Sequence, residues 1–173
     1  HGRRDTRMTT VIFSHGQESG PWGTKIRAMA ERVKSLGCQV ESINYQGIAD
    51  PTERVEKCVR KCAGIEDKLI LVGSSMGGHV ATAAAERVGA VGLFVLAPAF
   101  FMEDYEDLTP EPPSMPICIV HGWHDVVVPV ENSIRYAKSC SATLHIVDGD
   151  HRLTANIDEI NDYLEQFIKT TSA

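Results

Sequence analysis

Residues 68–81 read KLILVGSSMGGHVA. The first part, Lys68–Gly73, is a short and continuously apolar run, the pattern of a strand covered on both faces of its sheet. An alanine-rich stretch, Ser75–Val88, follows directly and reads as a helix. Two serines stand at the junction. A sharp strand-to-helix turn forces an unfavourable backbone on the residue at its tip and crowds the flanking segments. Positions two before and two after the tip must then be small. Gly73 and Gly77 meet that need if Ser75 is the tip; with Ser74 at the tip the positions would be Val72 and Met76. The helix after Ser75 points its first amides back at the strand end, where its dipole favours negative charge. The Met76 N–H is thus the natural first donor to an oxyanion, with Gln17, in the loop after the first strand, placed to supply a second.

The same alternation extends in both directions. Strands are expected at Thr9–Ser14, Cys38–Tyr45, Val91–Ala97, Ile117–His121 and Thr143–Val147. Ile26, Met29, Ala30, Val33 and Leu36 fall at helical spacing and end at Gly37. Pro51–Ala63 forms the next helix, with Asp50 as N-cap before the proline. Further helices lie around Glu131–Cys140 and along Ile157, Ile160, Leu164, Phe167 and Ile168. Pro98–Pro116 breaks the rhythm with five prolines in 19 residues and no long helical pattern. The expectation is a single three-layer α/β domain over residues 9–170, with a six-stranded, mainly parallel sheet and helices on both faces. Residues 1–8 are basic, lack a following signal-type apolar core and are read as a remnant of expression or processing, with Met8 as a natural start.

The bulk numbers agree with an ordinary globular domain. The 173 residues are 43% hydrophobic and 23% charged, with a formal net charge of −6. That balance argues against nucleic acid as a partner. No apolar run reaches membrane-spanning length. Five cysteines, Cys38, Cys58, Cys62, Cys118 and Cys140, show no zinc spacing. Cys58 and Cys62 continue the stripe begun by Val55 and Val59, which makes them core residues of a helix. Unpaired thiols in an odd number imply a reducing compartment, most simply the cytoplasm.

In open parallel sheets ligands bind beyond the carboxyl ends of the strands. Those ends carry SHGQESG (14–20), GSSMGG (73–78), HGWHDVVVP (121–129) and DGDHRL (148–153). A glycine turn, a serine, an aspartate and a histidine are the parts needed to activate a hydroxyl. With HGQ after the first strand, GSSMG at the elbow, HGWHDVVVP after the fifth and GDH after the last, the chain resembles the α/β-hydrolase family from about residue 9 to 168. The resemblance implies strand order 2-1-3-4-5-6, without the two leading antiparallel strands of larger members. It implies Ser75 as nucleophile, His151 as base and Asp125 as the acid that orients it, with no metal or organic cofactor. The closest likeness is to small, cap-less, esterase-like members. A serine tip distinguishes the chain from the haloalkane dehalogenases, which use aspartate, and from the dienelactone hydrolases, which use cysteine.

The chain has seven histidines. His15 and His121 each precede a glycine at a strand end and read as turn-packing residues. His145 lies inside a strand and reads as buried; His124 neighbours the acid. His79, on the elbow's own helix, has poor reach to the serine and reads as packing or pocket wall. Asp148 and Asp150 are rival acids, but Asp150 is adjacent to His151, and adjacent side chains diverge. Phe100, Phe101, Met102, Tyr105 and Leu108 either wall an acyl pocket or form core under a loop, and Trp22 stands as a candidate for the opposite wall. Glu103, Asp104, Glu106, Asp107 and Glu111 read as a solvated face.

The expected activity is cleavage of small-molecule carboxylic esters through an acyl-enzyme. Only about 18 residues separate the fourth strand from Pro116, too few for a bulky lid, which favours small or medium acyl groups. A thioesterase and a catalytically silent binding protein on the same fold are the alternatives. A nucleotide site is a poor reading, since GSSMGG lacks the P-loop lysine and the dinucleotide glycine spacing.

Overall fold

The computed structural model describes residues 5–103 and 106–173. Six strands form one sheet: β1 (Thr9–Ser14), β2 (Gln39–Ile43), β3 (Lys68–Ser74), β4 (Gly92–Leu96), β5 (Ile117–Gly122) and β6 (Thr143–Val147). Their order is β2-β1-β3-β4-β5-β6, and all five pairings are parallel. The helices are α1 (Thr24–Ser35), α2 (Pro51–Cys62), α3 (Met76–Ala84), α4 (Val130–Cys140) and α5 (Ile157–Thr171).

The strand sequences explain the layers. Side chains alternate between sheet faces. Ile12, Leu69, Leu71, Leu93, Val95, Ile117 and Ile119 face α2, α3 and α4, in one core with Val55, Cys58, Val80, Ala84 and Ala137. Their neighbours Val11, Phe13, Ile70, Val72, Phe94, Leu96, Cys118 and Val120 face α1 and α5, in a second core with Met29, Val33, Ile160 and Leu164. The central strands are apolar through their middles because both faces are covered.

Local signals also set the boundaries. Pro51 opens α2 and the Asp50 carboxylate accepts from the Thr52 amide. Cys58 and Cys62 are buried on the sheet side of that helix. The helix after the elbow is shorter than its alanine-rich pattern suggests. It starts at Met76, because Ser75 has a non-helical backbone, and after Ala84 it passes into a turn ending at Gly89, whose φ is positive. β2 likewise ends before Tyr45, whose side chain turns inward to meet the Ser14 hydroxyl. His145 is half-buried rather than buried, because β6 is an edge strand; its ring stacks on Tyr163 with centroids 3.8 Å apart. In the proline-rich connection the described residues form a single short 3-10 turn, Glu106–Leu108. Asp104 and Tyr105 lie outside the described residues. No described helix is long and apolar enough to cross a membrane.

Candidate active site

Ser75 sits where β3 gives way to α3, with φ 56° and ψ −117°. Holding a serine in that region costs about 1–3 kcal/mol, so its surroundings must impose it. They do so by exclusion. A Cβ at Gly73 would overlap the Gly77 carbonyl, and one at Gly77 would overlap the Ser14 carbonyl at the end of β1. The two glycines therefore serve different contacts: Gly73 lets α3 close onto β3, and Gly77 lets α3 close onto β1. Gly78 lies against Pro98 in the same way. The Ser75 amide donates to the Leu96 carbonyl at 2.9 Å, and its carbonyl accepts from Gly78 and Ala99.

The His151 Nε2 lies 3.1 Å from Ser75 Oγ, and its Nδ1 lies 2.8 Å from Asp125 Oδ2. The structure thus brings Ser75, His151 and Asp125 into one hydrogen-bonded chain, although they are drawn from β3–α3, the segment after β6 and the segment after β5. The Asp125 side chain has no exposed surface, whereas that of His151 is partly open. Asp125 Oδ1 accepts the amides of Val127 and Val128, both at 2.8 Å. The turn that carries His151 is tied by Asp150, which accepts the Arg152 and Leu153 amides, and by Asn156, which donates to the Asp148 carbonyl. Gly122 and Gly149 bring the β5 and β6 ends together, since a Cβ on Gly122 would overlap the Gly149 carbonyl.

The segment after β1 approaches from the other side. A Cβ on Gly16 would lie 3.6 Å from that of Ser75. The Tyr45 amide donates to His15 Nε2 at 2.8 Å, so the His15 proton is on Nδ1, where it is donated to the Gly16 carbonyl at 2.7 Å. Buried Arg54 donates to that same carbonyl at 3.2 Å. In a planar trans peptide the N–H points opposite to the preceding C=O. His15 and Arg54 therefore aim the Gln17 N–H away from themselves. Arg54 was missed at the level of sequence, where a basic residue in the first turn of a helix carries no signal for such a contact.

The other histidines are accounted for locally. Burial pushes His15 and His79 below the ordinary imidazole range. His124 is exposed and pairs with Asp148 at 2.9 Å. Lys25, on α1, donates to the Arg152 carbonyl at 3.0 Å, one residue from His151. Burial pushes its ammonium down to about 8, partly offset by Asp150 and Asp125.

Of the candidate pocket residues, Phe100 is fully buried and stacks on Tyr136, with centroids 4.0 Å apart, so it belongs to the core. Phe101 is half-buried beneath the Arg135 guanidinium, and Met102 is half-buried. Trp22 is 41% exposed, and the loop around Asp125 displays Trp123, Val126 and Val127 to solvent.

Fold and comparison define the class. The structure superposes on that of a member of the alpha/beta hydrolase superfamily from Xanthomonas campestris pv. campestris with a TM-score of 0.86 and 28% identity, covering 93% of this chain and 98% of that one. An alpha/beta serine hydrolase without a lid, also from Xanthomonas campestris, matches with a TM-score of 0.75 and 19% identity, over 95% of this chain and 82% of that one. A bovine (Bos taurus) protein named palmitoyl-protein thioesterase ABHD10, mitochondrial, is 35% identical over 95 residues, which cover 47% of this chain and 31% of that protein. The chain spans about a third of the length of that curated relative. The molecule is a member of the alpha/beta hydrolase superfamily. Within that class, residues 10–114 match the model of the uncharacterised protein family UPF0227, and the chain belongs to that family.

Proposed function

We propose that the protein is a serine hydrolase that cleaves carboxylic esters of small or medium acyl groups. The observation that carries this reading is the unbroken chain Ser75 Oγ–His151–Asp125, with links of 3.1 and 2.8 Å, at the tip of a strained turn. A serine hydroxyl is a weak nucleophile until a base takes its proton. His151 Nε2 is at hydrogen-bond distance for that transfer. Asp125 holds the Nδ1–H tautomer and stabilises the imidazolium that forms. The Met76 and Gln17 amides receive the developing oxyanion. His151 then gives the proton to the departing alcohol, and water repeats the sequence on the acyl-enzyme. The base must be neutral to act, so turnover falls as acid protonates the imidazole.

A fluorophosphonate probe tests the reading: covalent labelling is expected at Ser75 and is lost in Ser75→Ala. An unlabelled wild-type protein would instead make the chain a silent binding protein on a hydrolase fold. A thioester substrate is the second reading, favoured by the name of the bovine relative. A panel of acyl esters and matched thioesters of graded chain length separates the two. A reducing compartment, in the simplest case the cytoplasm, belongs to the same proposal and is supported by five free thiols.

A further inference from the structure

Asp125 is the most heavily solicited group in the site. Its Oδ1 takes two backbone amides, and its Oδ2 takes His151 Nδ1. A second imidazole also reaches Oδ2. His121, on β5, places Nε2 3.1 Å from that oxygen, and both side chains are fully buried. The same Nε2 lies 2.8 Å from the Val128 carbonyl. A carbonyl only accepts, so His121 Nε2 carries a hydrogen, which it donates to the Val128 carbonyl while Asp125 Oδ2 stands 3.1 Å from the same nitrogen. The other ring nitrogen, Nδ1, lies 2.7 Å from the hydroxyl of buried Ser133 on α4. In the neutral ring that nitrogen accepts, and the hydroxyl supplies the proton. Burial favours the neutral ring, while the facing Asp125 and the Val128 carbonyl pull the other way and His151 opposes them.

We propose that His121 is a positioning residue for Asp125: a neutral, Nε2-protonated imidazole, fixed in that tautomer by Ser133, that shares Oδ2 with His151. This rests on the reading that Asp125 orients a catalytic His151. One consequence follows from the geometry. The carboxylate is kept from swinging away from His151, because Oδ1 is anchored by the Val127 and Val128 amides and Oδ2 is faced by His121 as well as by the base.

The test combines one measurement on the native chain with two variants. Nitrogen-15 NMR of the histidine-labelled protein is expected to show His121 as the neutral Nε2–H tautomer at pH 7. A Nδ1–H tautomer, or a doubly protonated His121 at that pH, overturns the proposal. In His121→Phe, kcat for an ester should fall about ten- to a hundredfold, the worth of one hydrogen bond to a charged group, with KM little changed. His121→Gln keeps an N–H near the same position and should recover most of the lost kcat. A folded His121→Phe with native kcat, or a folded His121→Gln as impaired as His121→Phe, overturns the proposal. If neither variant folds, the tautomer in the native protein decides. Absence of fluorophosphonate labelling at Ser75 with the His121 tautomer as stated would remove the hydrolase reading and leave the buried arrangement standing.

Discussion

The two halves of the candidate site are held by different forces. The serine side is held by shape. Gly73, Gly77 and Gly78 leave no room for a Cβ, and backbones of β1, β3 and α3 press together around Ser75. The acid–base side is held by hydrogen bonds. Asp125 and His151 stand on two loops whose conformations are fixed by carboxylate-to-amide caps, by His121 and by the Lys25 latch. Steric confinement tolerates no intermediate: a methyl group fits or it does not. Hydrogen bonds can be removed one at a time, each with a modest loss. The serine side should fail abruptly on mutation and the acid–base side by degrees.

The largest separation of the two is expected from Ser75→Ala. It removes the proposed nucleophile and leaves the backbone crowding as it was, so ester turnover should drop by roughly 10⁴-fold or more while the melting temperature stays at or above that of the native protein. A large loss of stability would show that the hydroxyl, not the glycine frame, holds the elbow. Gly77→Ala reverses the pattern. Its methyl group would meet the Ser14 carbonyl, and urea unfolding should show a loss of about 3 kcal/mol or more. A native-like midpoint would mean that α3 slides aside freely.

Smaller effects sharpen the contrast. Arg54→Met removes one of three donors to the Gly16 carbonyl, beside His15 and the longer contact from Ser19. It should lower kcat about tenfold through the Gln17 amide, less than outright loss of an oxyanion donor, with KM nearly unchanged. The smallest effect is expected at Lys25. Its ammonium gives up its proton near pH 8 in the folded chain, against an ordinary value of 10.5. The charge-assisted bond to the Arg152 carbonyl is complete below that pH and weakens above it, so kcat should decline a few-fold on the alkaline side. Lys25→Met should start lower and lack that limb. For stability the sign is opposite: between 8 and 10.5 the unfolded chain binds more protons at this group, so its contribution to stability rises with pH.

The same division governs what the sequence could reveal. A continuous apolar run marked β3, as a sheet covered on both faces needs, and shorter strand-type runs marked β1, β4 and β5. Edge strands β2 and β6 alternate, and there the boundaries and the burial of His145 were less well marked. The elbow was legible because steric exclusion leaves glycines at fixed spacing. The grouping of Ser75, Asp125 and His151 follows from their places after three strands of one parallel sheet. His121, Arg54 and Lys25 left no such trace in their roles. Each acts through a contact that exists only once the fold has formed: Arg54 reaches a carbonyl 38 residues away, and Lys25 one 127 residues away. Phe100 stood open between pocket wall and core for a related reason, since an aromatic in a loop does not announce that it will stack on Tyr136.

One consequence of the Asp125 cap reaches outward. By taking the amides of Val127 and Val128 on a single oxygen, this carboxylate folds its loop so that Val128 is swallowed and Val126 is left 94% exposed. The carboxylate that meets His151 Nδ1 therefore also decides which valines its loop leaves in solvent. Replacing Asp125 would redraw that apolar surface together with the His151 contact. A ligand suspected of resting there is better measured on Ser75→Ala, where the surface keeps its native outline.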